Sequence, residues 1–145
     1  LPTTWDEFFT AAEALKKAGV IPVAHGGQNW QDFTTFESVA LGVGGVDFYK
    51  KALVQLDQAA LKSPTMEKVL TTFKRIKDYT DRNAPGRDWN LATAMVINGQ
   101  AGMQLMGDWV KGEFVAAGKV PGKDFVCAAA PGTAQAFTYN VDSFA

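Results

Sequence analysis

The sequence is most constrained by residues 94–109, which predict a helix end, a turn and a short strand in immediate succession. The Asn-Gly pair at 98–99 favours a tight turn, because both residues tolerate a left-handed backbone. The apolar residues 101–106 then predict a strand, which ends at the Gly-Asp-Trp sequence at 107–109. A helix that leads into a strand is typical of α/β proteins, whose ligands bind beyond the carboxyl ends of the strands. We therefore expect an α/β fold with an acid and a flat aromatic side chain at the edge of a binding crevice.

The amino-terminal part of the chain predicts a second step from a helix to a strand. Thr4 and Glu7 fit a capping box, in which each side chain accepts a hydrogen bond from a free backbone N–H group at the helix start. Gly19 suits the left-handed position that ends a helix, and residues 20–24 predict a short buried strand. Trp5 lies in the first helical turn and is expected to be structural.

Apolar residues at helical spacing, together with the usual helix-start and helix-end residues, predict the remaining elements. Met66 lies on the apolar stripe of the long amphipathic helix among them and is expected in the core. In chain order the predicted elements are a helix capped by Asp32 and ended by glycines at 42–45, a short helix over 48–56, a helix from Ser63-Pro64 to Tyr79, a polar loop over 80–89, a helix capped by Asn90, a helix from Asp108 to Ala117, and strands over 125–130 and 137–141.

Length and composition describe one globular domain. A chain of 145 residues is long enough for an apolar core, and its 47% apolar and 20% charged residues are typical of folded proteins. Its 14 basic and 15 acidic residues argue against a nucleic-acid-binding protein, which needs a basic surface. No apolar run approaches the ~20 residues that cross a bilayer. The single cysteine, Cys127, lies in an apolar run and is expected to be a small core residue.

The sequence contains no recognisable catalytic constellation. A single histidine excludes a metal cluster built on histidines, Cys127 has no CxxC neighbour, and the glycine-rich stretches lack the spacing of a phosphate loop. We therefore expect neither a metal nor another cofactor, and a protein that is not an enzyme. Two alternatives stay open. One is a carbohydrate-active hydrolase in which Asp108 acts with Glu113 or Asp142, and the other is a structural or interaction domain with its tryptophans in the core.

Two sets of aromatic and polar side chains match the chemistry of a sugar. A pyranose ring has apolar C–H faces and a rim of hydroxyl groups, so it needs an aromatic wall with donors and acceptors beside it. Trp109 and Asp108 supply that pair next to a predicted strand end, and a carboxylate accepts strong hydrogen bonds from hydroxyl groups. Trp30, with Gln28 and Asn29, supplies a second set in the glycine-rich loop after the first strand.

Each of these candidates has a structural alternative. Asp108 also suits the N-cap of the helix that follows it, and Trp109 also suits a core position under the sheet. His25, at the end of the first predicted strand, is either a hydrogen-bonded loop residue or a sugar ligand. Trp30 is favoured as a ligand-facing residue, because the polar loop around it offers little apolar cover.

Two motifs make the chain resemble a known family. Residues 94–109 follow the pattern small-Met-x-x-x-Gly-x-x-Ala/Gly-Met…Gly-x-Trp, and residues 2–7 follow Pro-x-Thr-Trp-x-Glu. In this order and spacing they resemble the extracellular solute-binding proteins of sugar ABC importers, the maltodextrin-binding-like receptors, and most of all their glucose-type members from Gram-negative bacteria. The resemblance implies one lobe of a type II periplasmic-binding-protein fold, in which helices pack around a small sheet. It also implies that residues 1–145 form a single lobe, an incomplete fragment of a two-lobed receptor.

The resemblance carries expectations about ligand and partners as well. It implies a periplasmic protein that binds a sugar between this lobe and the missing other lobe and is then recognised by an ABC transporter permease. In the family, the loop that corresponds to residues 25–30 and the Gly-x-Trp turn face the cleft, and Asn140 and Asp142 lie on a return segment that makes them weaker ligand candidates. Asp108 departs from the proline of the maltodextrin-binding pattern and suggests a monosaccharide such as glucose. The surface that the other lobe would cover predicts a homodimer or strand exchange of this chain alone.

Overall fold

Two short parallel strands connect distant parts of the chain in the computed structural model, which describes residues 1–139. Strand β1 (Ile21–Val23) pairs with β2 (Ala101–Met103), with Ile21 opposite Ala101 and Val23 opposite Met103. Parallel strands require a long crossover connection, and here helices form most of it. The predicted strands at 20–24 and 101–106 are therefore confirmed, although each is shorter than expected.

Helices make up most of the structure around this pair of strands. The expected α/β class is confirmed, as a helix-rich arrangement with a small parallel sheet. In chain order the helices are α1 (Trp5–Lys17), α2 (Asn29–Tyr49), α3 (Gln58–Leu61), α4 (Pro64–Ile76), α5 (Trp89–Ile97) and α6 (Val110–Ala116), with a π-helical turn at Lys50–Val54 and a 3₁₀ turn at Lys77–Tyr79.

The apolar core lies where α1, α2 and α4 meet the first strand. Trp5, Phe8 and Phe9 form the buried aromatic face of α1, and their rings contact one another edge to face or tilted. Val39 of α2 and Val69 of α4 belong to the same buried cluster and have no exposed surface. Met66 lies in this cluster too, so the structural roles predicted for it and for Trp5 are confirmed.

Local capping rules predicted two of the helix starts correctly. Thr4 Oγ1 accepts from Glu7 N, and Glu7 Oε2 accepts from Thr4 N, which completes the expected capping box. Ser63 Oγ accepts from Met66 N, and a proline follows at the first position of α4. Gly99 has a φ of 72°, so the predicted turn after α5 is also confirmed.

Three predicted helix starts are wrong. Helix α2 begins before Asp32, with Gln28 at the N-cap position. Asp88 rather than Asn90 caps α5, through a bond from Trp89 N to Asp88 Oδ1. Asp108 is not a cap, because α6 has Trp109 at its N-cap position and shows no side-chain cap bond.

The glycines at 42–45 separate two helical segments within residues 29–49, so the helix end predicted there is confirmed. Gly45 has a φ of 77° and interrupts an otherwise helical run that continues to Tyr49 and into the π-helical turn. The hydroxyl of Tyr49 donates to Glu37 Oε1 at 2.5 Å, which ties the segment after the bend to the segment before it. Burial and this bond raise the pKa of Tyr49 to about 12. The predicted separate helix over 48–56 therefore corresponds to the helical segment after Gly45 together with the π-helical turn at Lys50–Val54, with different bounds.

The two predicted carboxyl-terminal strands are not present in the described part of the chain. Residues 126–130 have no regular structure, and Phe125 makes only an isolated bridge to Pro121. Residues 137–139 are also irregular, and residues 140 and 141 lie outside the described range. Cys127 is exposed, so its predicted place in the core is wrong. None of the helices in residues 1–139 combines the length and the apolar character needed to cross a membrane.

Burial predicts very different costs for two neighbouring truncations on α4. Val69→Ala removes two methyl groups from a side chain with no exposed surface and should lower the free energy of unfolding by about 2 kcal/mol. Leu70→Ala is the matched control, because Leu70 is 51% exposed, and it should cost under about 0.5 kcal/mol. Urea unfolding followed by circular dichroism measures both, and equal losses would contradict this account of the core.

Candidate functional site

The parallel pairing of β1 and β2 brings the segments that follow them to one side of the molecule. Ala24 N, just after β1, donates to Met103 O at 2.8 Å, so the two strand ends are still joined where the segments leave. The side chain of Gln104, just after β2, donates from Nε2 to Trp89 O at 3.2 Å. The segments that carry the predicted candidates after β1 and after β2 thus leave the sheet at the same edge.

The loop after β1 is clamped by the loop that precedes α5. Gly27 N donates to Arg87 O at 3.0 Å, and Gly86 N donates back to Gly27 O at 3.1 Å. The contact is so close that a Cβ atom on Gly27 would lie 2.2 Å from the carbonyl oxygen of Ala84. Only glycine fits there, because any side chain would force the two backbones apart.

An ion pair supports this clamp from the side of the second loop. Arg87 Nη1 lies 2.7 Å from Asp81 Oδ2, and Nη2 lies 2.5 Å from Oδ1, which is the bidentate geometry of a strong pair. Arg87 Nη1 also donates to His25 O at 3.3 Å. The side chains of Arg87 and Asp81 are only 11% and 16% exposed. The hydrogen bonds from the Arg87 guanidinium lower the pKa of Asp81 below its ordinary value.

His25 is a hydrogen-bonded residue of the first loop. Its Nε2 atom lies 2.6 Å from Asp32 Oδ1, on the first turns of α2. Asp32 thus pairs with the preceding loop from within the first turn of α2. The structure thus shows His25 hydrogen-bonded, with Asp32 still 47% exposed beside it, and its role as a sugar ligand stays a prediction.

Trp30 projects from the start of α2 and is 43% exposed. Its indole Nε1 donates to Gln28 Oε1 at 2.9 Å, so the N–H group is used within the protein. The neighbouring Asn29 is exposed. The predicted set of Gln28, Asn29 and Trp30 therefore lies together, with the exposed part of the indole available for an apolar contact.

Trp109 and Asp108 follow β2 and are both exposed. Trp109 is 42% exposed, and its six-membered ring lies so close to Gly107 that a Cβ atom there would be 2.0 Å from Cζ3. The alternative that Trp109 is a core residue is therefore wrong. The side chain of Asp108 is 86% exposed, and its Oδ2 lies 3.4 Å from Lys111 Nζ. The alternative that Asp108 is a helix cap is wrong as well.

A cavity of about 520 Å³ adjoins the end of β2. Gln104 and Asp108 contribute polar groups to its wall, and Phe114 and Phe125 contribute apolar surface. The rings of these two phenylalanines are stacked, with their centroids 4.4 Å apart. The described residues contain no group of three or more His, Cys, Asp or Glu side chains that could hold a metal ion. Asn140 and Asp142, the two weaker ligand candidates, lie outside the described residues.

Sequence reasoning missed the residues that hold the site together. Arg87 and Asp81 were predicted only as part of a polar loop, and Gln31 was not singled out although it is fully buried. Arg87 and Asp81 pair across six residues of one loop, and Gln31 Nε2 bonds the carbonyl oxygen of Arg87, 56 residues away. The sequence itself carries no signal for the burial of Gln31 or for its contact with Arg87.

The chain matches the family model described as bacterial extracellular solute-binding protein over residues 2–144. It is 54% identical over 144 residues to a Brucella suis protein named as a probable sugar-binding periplasmic protein, and 51% identical to a Rhizobium meliloti protein of the same name. These matches cover 99% of this chain and 34% of each relative. A Pyrococcus horikoshii protein, named as an uncharacterized ABC transporter extracellular-binding protein, is 37% identical over 97% of the chain and 31% of its own length. The chain thus spans about a third of the length of these relatives.

Solved structures of solute receptors share this fold. The bacterial solute receptor AcbH, described with an exclusive preference for β-D-galactopyranose, superposes with a TM-score of 0.71 at 26% identity over 81% of this chain and 30% of the receptor. A chitin oligosaccharide binding protein superposes with the same TM-score at 27% identity, over 82% of this chain and 30% of its own. These neighbours confirm the expected α/β fold, in which helices pack around a small sheet.

The Arg87–Asp81 pair predicts a defined pH dependence of stability. Because the folded-state pKa of Asp81 is lowered, the pair stabilises the fold above the ordinary value of 3.8, and this contribution is lost as the pH falls through the lowered pKa. Asp81→Asn should therefore lower the free energy of unfolding by about 2 kcal/mol at pH 7, and the difference from the unaltered chain should shrink below pH 4. Denaturant unfolding across this pH range measures the effect. Asp47→Asn, at an exposed position of α2, is the control, and an equal loss in both variants would refute the role of the pair.

Proposed function

The chain belongs to the family of bacterial extracellular solute-binding proteins, and from that premise we propose that it forms one lobe of a two-lobed, non-catalytic sugar receptor for ABC-transporter uptake. The family resemblance expected from residues 2–7 and 94–109 is confirmed by the match over residues 2–144. The expected periplasmic location is confirmed by the relatives from Brucella and Rhizobium, which are named as periplasmic proteins. The division into lobes and the assignment of residues 1–145 to one of them belong to the proposal.

Sugar binding is supported by two half-exposed tryptophans, each at the start of a helix that follows one of the two parallel strands. Trp30 is 43% exposed and Trp109 is 42% exposed, although a large aromatic side chain gains free energy by burial. An indole face matches the apolar C–H face of a pyranose ring and buries on contact with it. Asp108, at 86% side-chain exposure, is free to accept hydrogen bonds from sugar hydroxyl groups beside Trp109.

The polar residues around Trp30 supply the second part of the proposed sugar contact. Gln28 holds the indole through its side-chain oxygen, and Asn29 is exposed beside it with both a donor and an acceptor. His25 and Asp32 are already bonded to each other, but Asp32 keeps a half-exposed carboxylate at the rim of the loop. Asn140 and Asp142 remain in the proposed ligand set on the strength of the family resemblance alone.

A second lobe, the proposed partner of this one, would close over the exposed indole faces. Ligand that touches both lobes stabilises the closed arrangement more than the open one, and so shifts the equilibrium between them. A permease that recognises the closed form would then take up the sugar. This scheme needs no bond to be broken, which agrees with a family of binding proteins.

We propose a monosaccharide of the glucose type as the ligand. The support is the exposed carboxylate of Asp108 in place of a proline, since a small sugar presents many hydroxyl groups per ring. Related structures bind different sugars, one a galactopyranose and one a chitin oligosaccharide. Specificity therefore has to be tested with several sugars.

A chimera tests the proposed function directly. Replacing the matching 144 residues of the Brucella suis relative, which is 54% identical, with this chain supplies the rest of a receptor. The chimera should bind glucose or galactose in calorimetry, and Trp30→Ala should weaken that binding about tenfold or more. Phe137→Ala is the control, because Phe137 is an exposed aromatic residue outside the proposed site. A chimera that folds but binds neither these sugars nor a chitin trisaccharide would refute the function.

The chain on its own should bind sugar weakly, because it offers only half of a cleft. We expect a dissociation constant of about 1 mM or weaker for glucose with the 145-residue chain. Isothermal titration calorimetry measures this, and micromolar affinity would contradict a site shared between lobes. The expected self-association of the isolated chain stays a prediction.

A further inference from the structure

Gln31 occupies a place that fold stability alone does not explain. Its side chain has no exposed surface, and it is the largest fully buried side chain in residues 1–139. Burying an amide is costly unless its polar atoms are all hydrogen-bonded. A methionine has a similar length and would fill the same space without that cost.

One half of the Gln31 amide joins the two clamped loops. Nε2 lies 3.1 Å from Gln28 Oε1, on the loop after β1, and 3.3 Å from Arg87 O, on the loop before α5. Both partners are acceptors, so the nitrogen must point toward them and the amide has one orientation.

The other half of the amide is unpaired. The Gln31 Oε1 atom is buried and has no hydrogen-bond partner within the described residues. It lies against the backbone of Gly26, where a Cβ atom would be 1.4 Å away. The absence of a side chain at residue 26 is therefore what admits the amide to this position.

Gln28 passes the constraint on to Trp30. Its Oε1 atom accepts two hydrogen bonds, one from Gln31 Nε2 and one from Trp30 Nε1 at 2.9 Å. The first bond fixes the Gln28 amide from the buried side, and the second fixes the rotation of a half-exposed indole. Without the first, Gln28 would be free to turn toward solvent with Trp30 released from it.

We propose that Gln31 is a positioning residue, which fixes the plane of the Trp30 indole through Gln28 before any ligand arrives. This inference rests on the proposed function, in which that indole is a wall of the sugar site. An indole held in place before binding loses less conformational freedom when a sugar stacks on it, and the affinity rises accordingly. Placing the Gln31 Nε2 donor at this point leaves the Oε1 atom buried and unpaired, which lowers the stability of the fold.

Nuclear magnetic resonance of the 145-residue chain tests the positioning role without any ligand. Gln31→Met should shift the indole N–H resonance of Trp30, assigned by Trp30→Phe, and speed its exchange with solvent, while the indole signals of Trp5 and Trp109 stay unchanged. Gln100→Met, at an exposed position after α5, is the matched control. An unchanged Trp30 resonance in Gln31→Met would overturn the proposal.

Gln28→Met provides a second variant at a partly exposed position, where folding is less at risk. Gln28→Met should shift the Trp30 indole resonance as much as Gln31→Met does. The double variant should shift it no further, because both substitutions break the same chain of hydrogen bonds from Gln31 through Gln28 to Trp30. Additive shifts of the Trp30 resonance would contradict this chain of hydrogen bonds. If Gln31→Met does not fold, Gln28→Met decides alone: an unchanged Trp30 resonance overturns the proposal.

Sugar affinity in the chimera tests the consequence for binding. Gln31→Met should weaken glucose or galactose binding about three- to tenfold, with an unfolding midpoint close to that of the Gln100→Met chimera. Equal affinities in these two variants would overturn the effect of positioning on binding. If no form of the chimera binds sugar, the proposed function fails, whereas the Trp30 resonance still decides the role of Gln31.

Discussion

The pair of backbone hydrogen bonds between the loop after β1 and the loop before α5 is the constraint on which the candidate site depends. Gly27 and Arg87 share one bond, Gly86 and Gly27 the other, and the contact tolerates no side chain at residue 27. Through it, the loop that leads into α2 and its exposed Trp30 is held against a second loop from a distant part of the chain. The ion pair of Arg87 with Asp81 adds charged hydrogen bonds to the same junction, in a place where water has little access.

The parts of the fold that sequence reasoning predicted are those decided by neighbours in the chain. The capping box of Thr4, the cap at Ser63 and the turn at residue 99 each depend on hydrogen bonds that span three or four residues. Asp32 does not cap α2, and its carboxylate instead pairs with His25 on the preceding loop, a contact that the local pattern did not predict.

The predicted strand at 125–130 shows a second limit of local patterns. An apolar run is compatible with a strand, but a strand exists only where another strand edge is available for pairing. Within residues 1–139 only β1 and β2 form a ladder, and the sequence does not say which apolar runs will find a partner. The exposed candidates Trp30 and Trp109 were predictable from the polar residues around them, whereas the buried Gln31 and the Arg87–Asp81 pair depend on contacts that only the fold creates.

The two tryptophans are held by different physical means, and this bears on how the site works. Trp30 is oriented by a hydrogen bond to Gln28, which has a direction, while Trp109 rests against the bare backbone of Gly107, a contact without polar direction. A directional bond resists rotation of the ring, whereas a flat apolar contact restrains tilt but permits sliding. In the proposed sugar site, the Trp30 side is therefore expected to define where a ring-shaped ligand stacks, and the Trp109 side to adapt to it. Adaptation next to the exposed carboxylate of Asp108 suits a family whose members bind different sugars on one architecture.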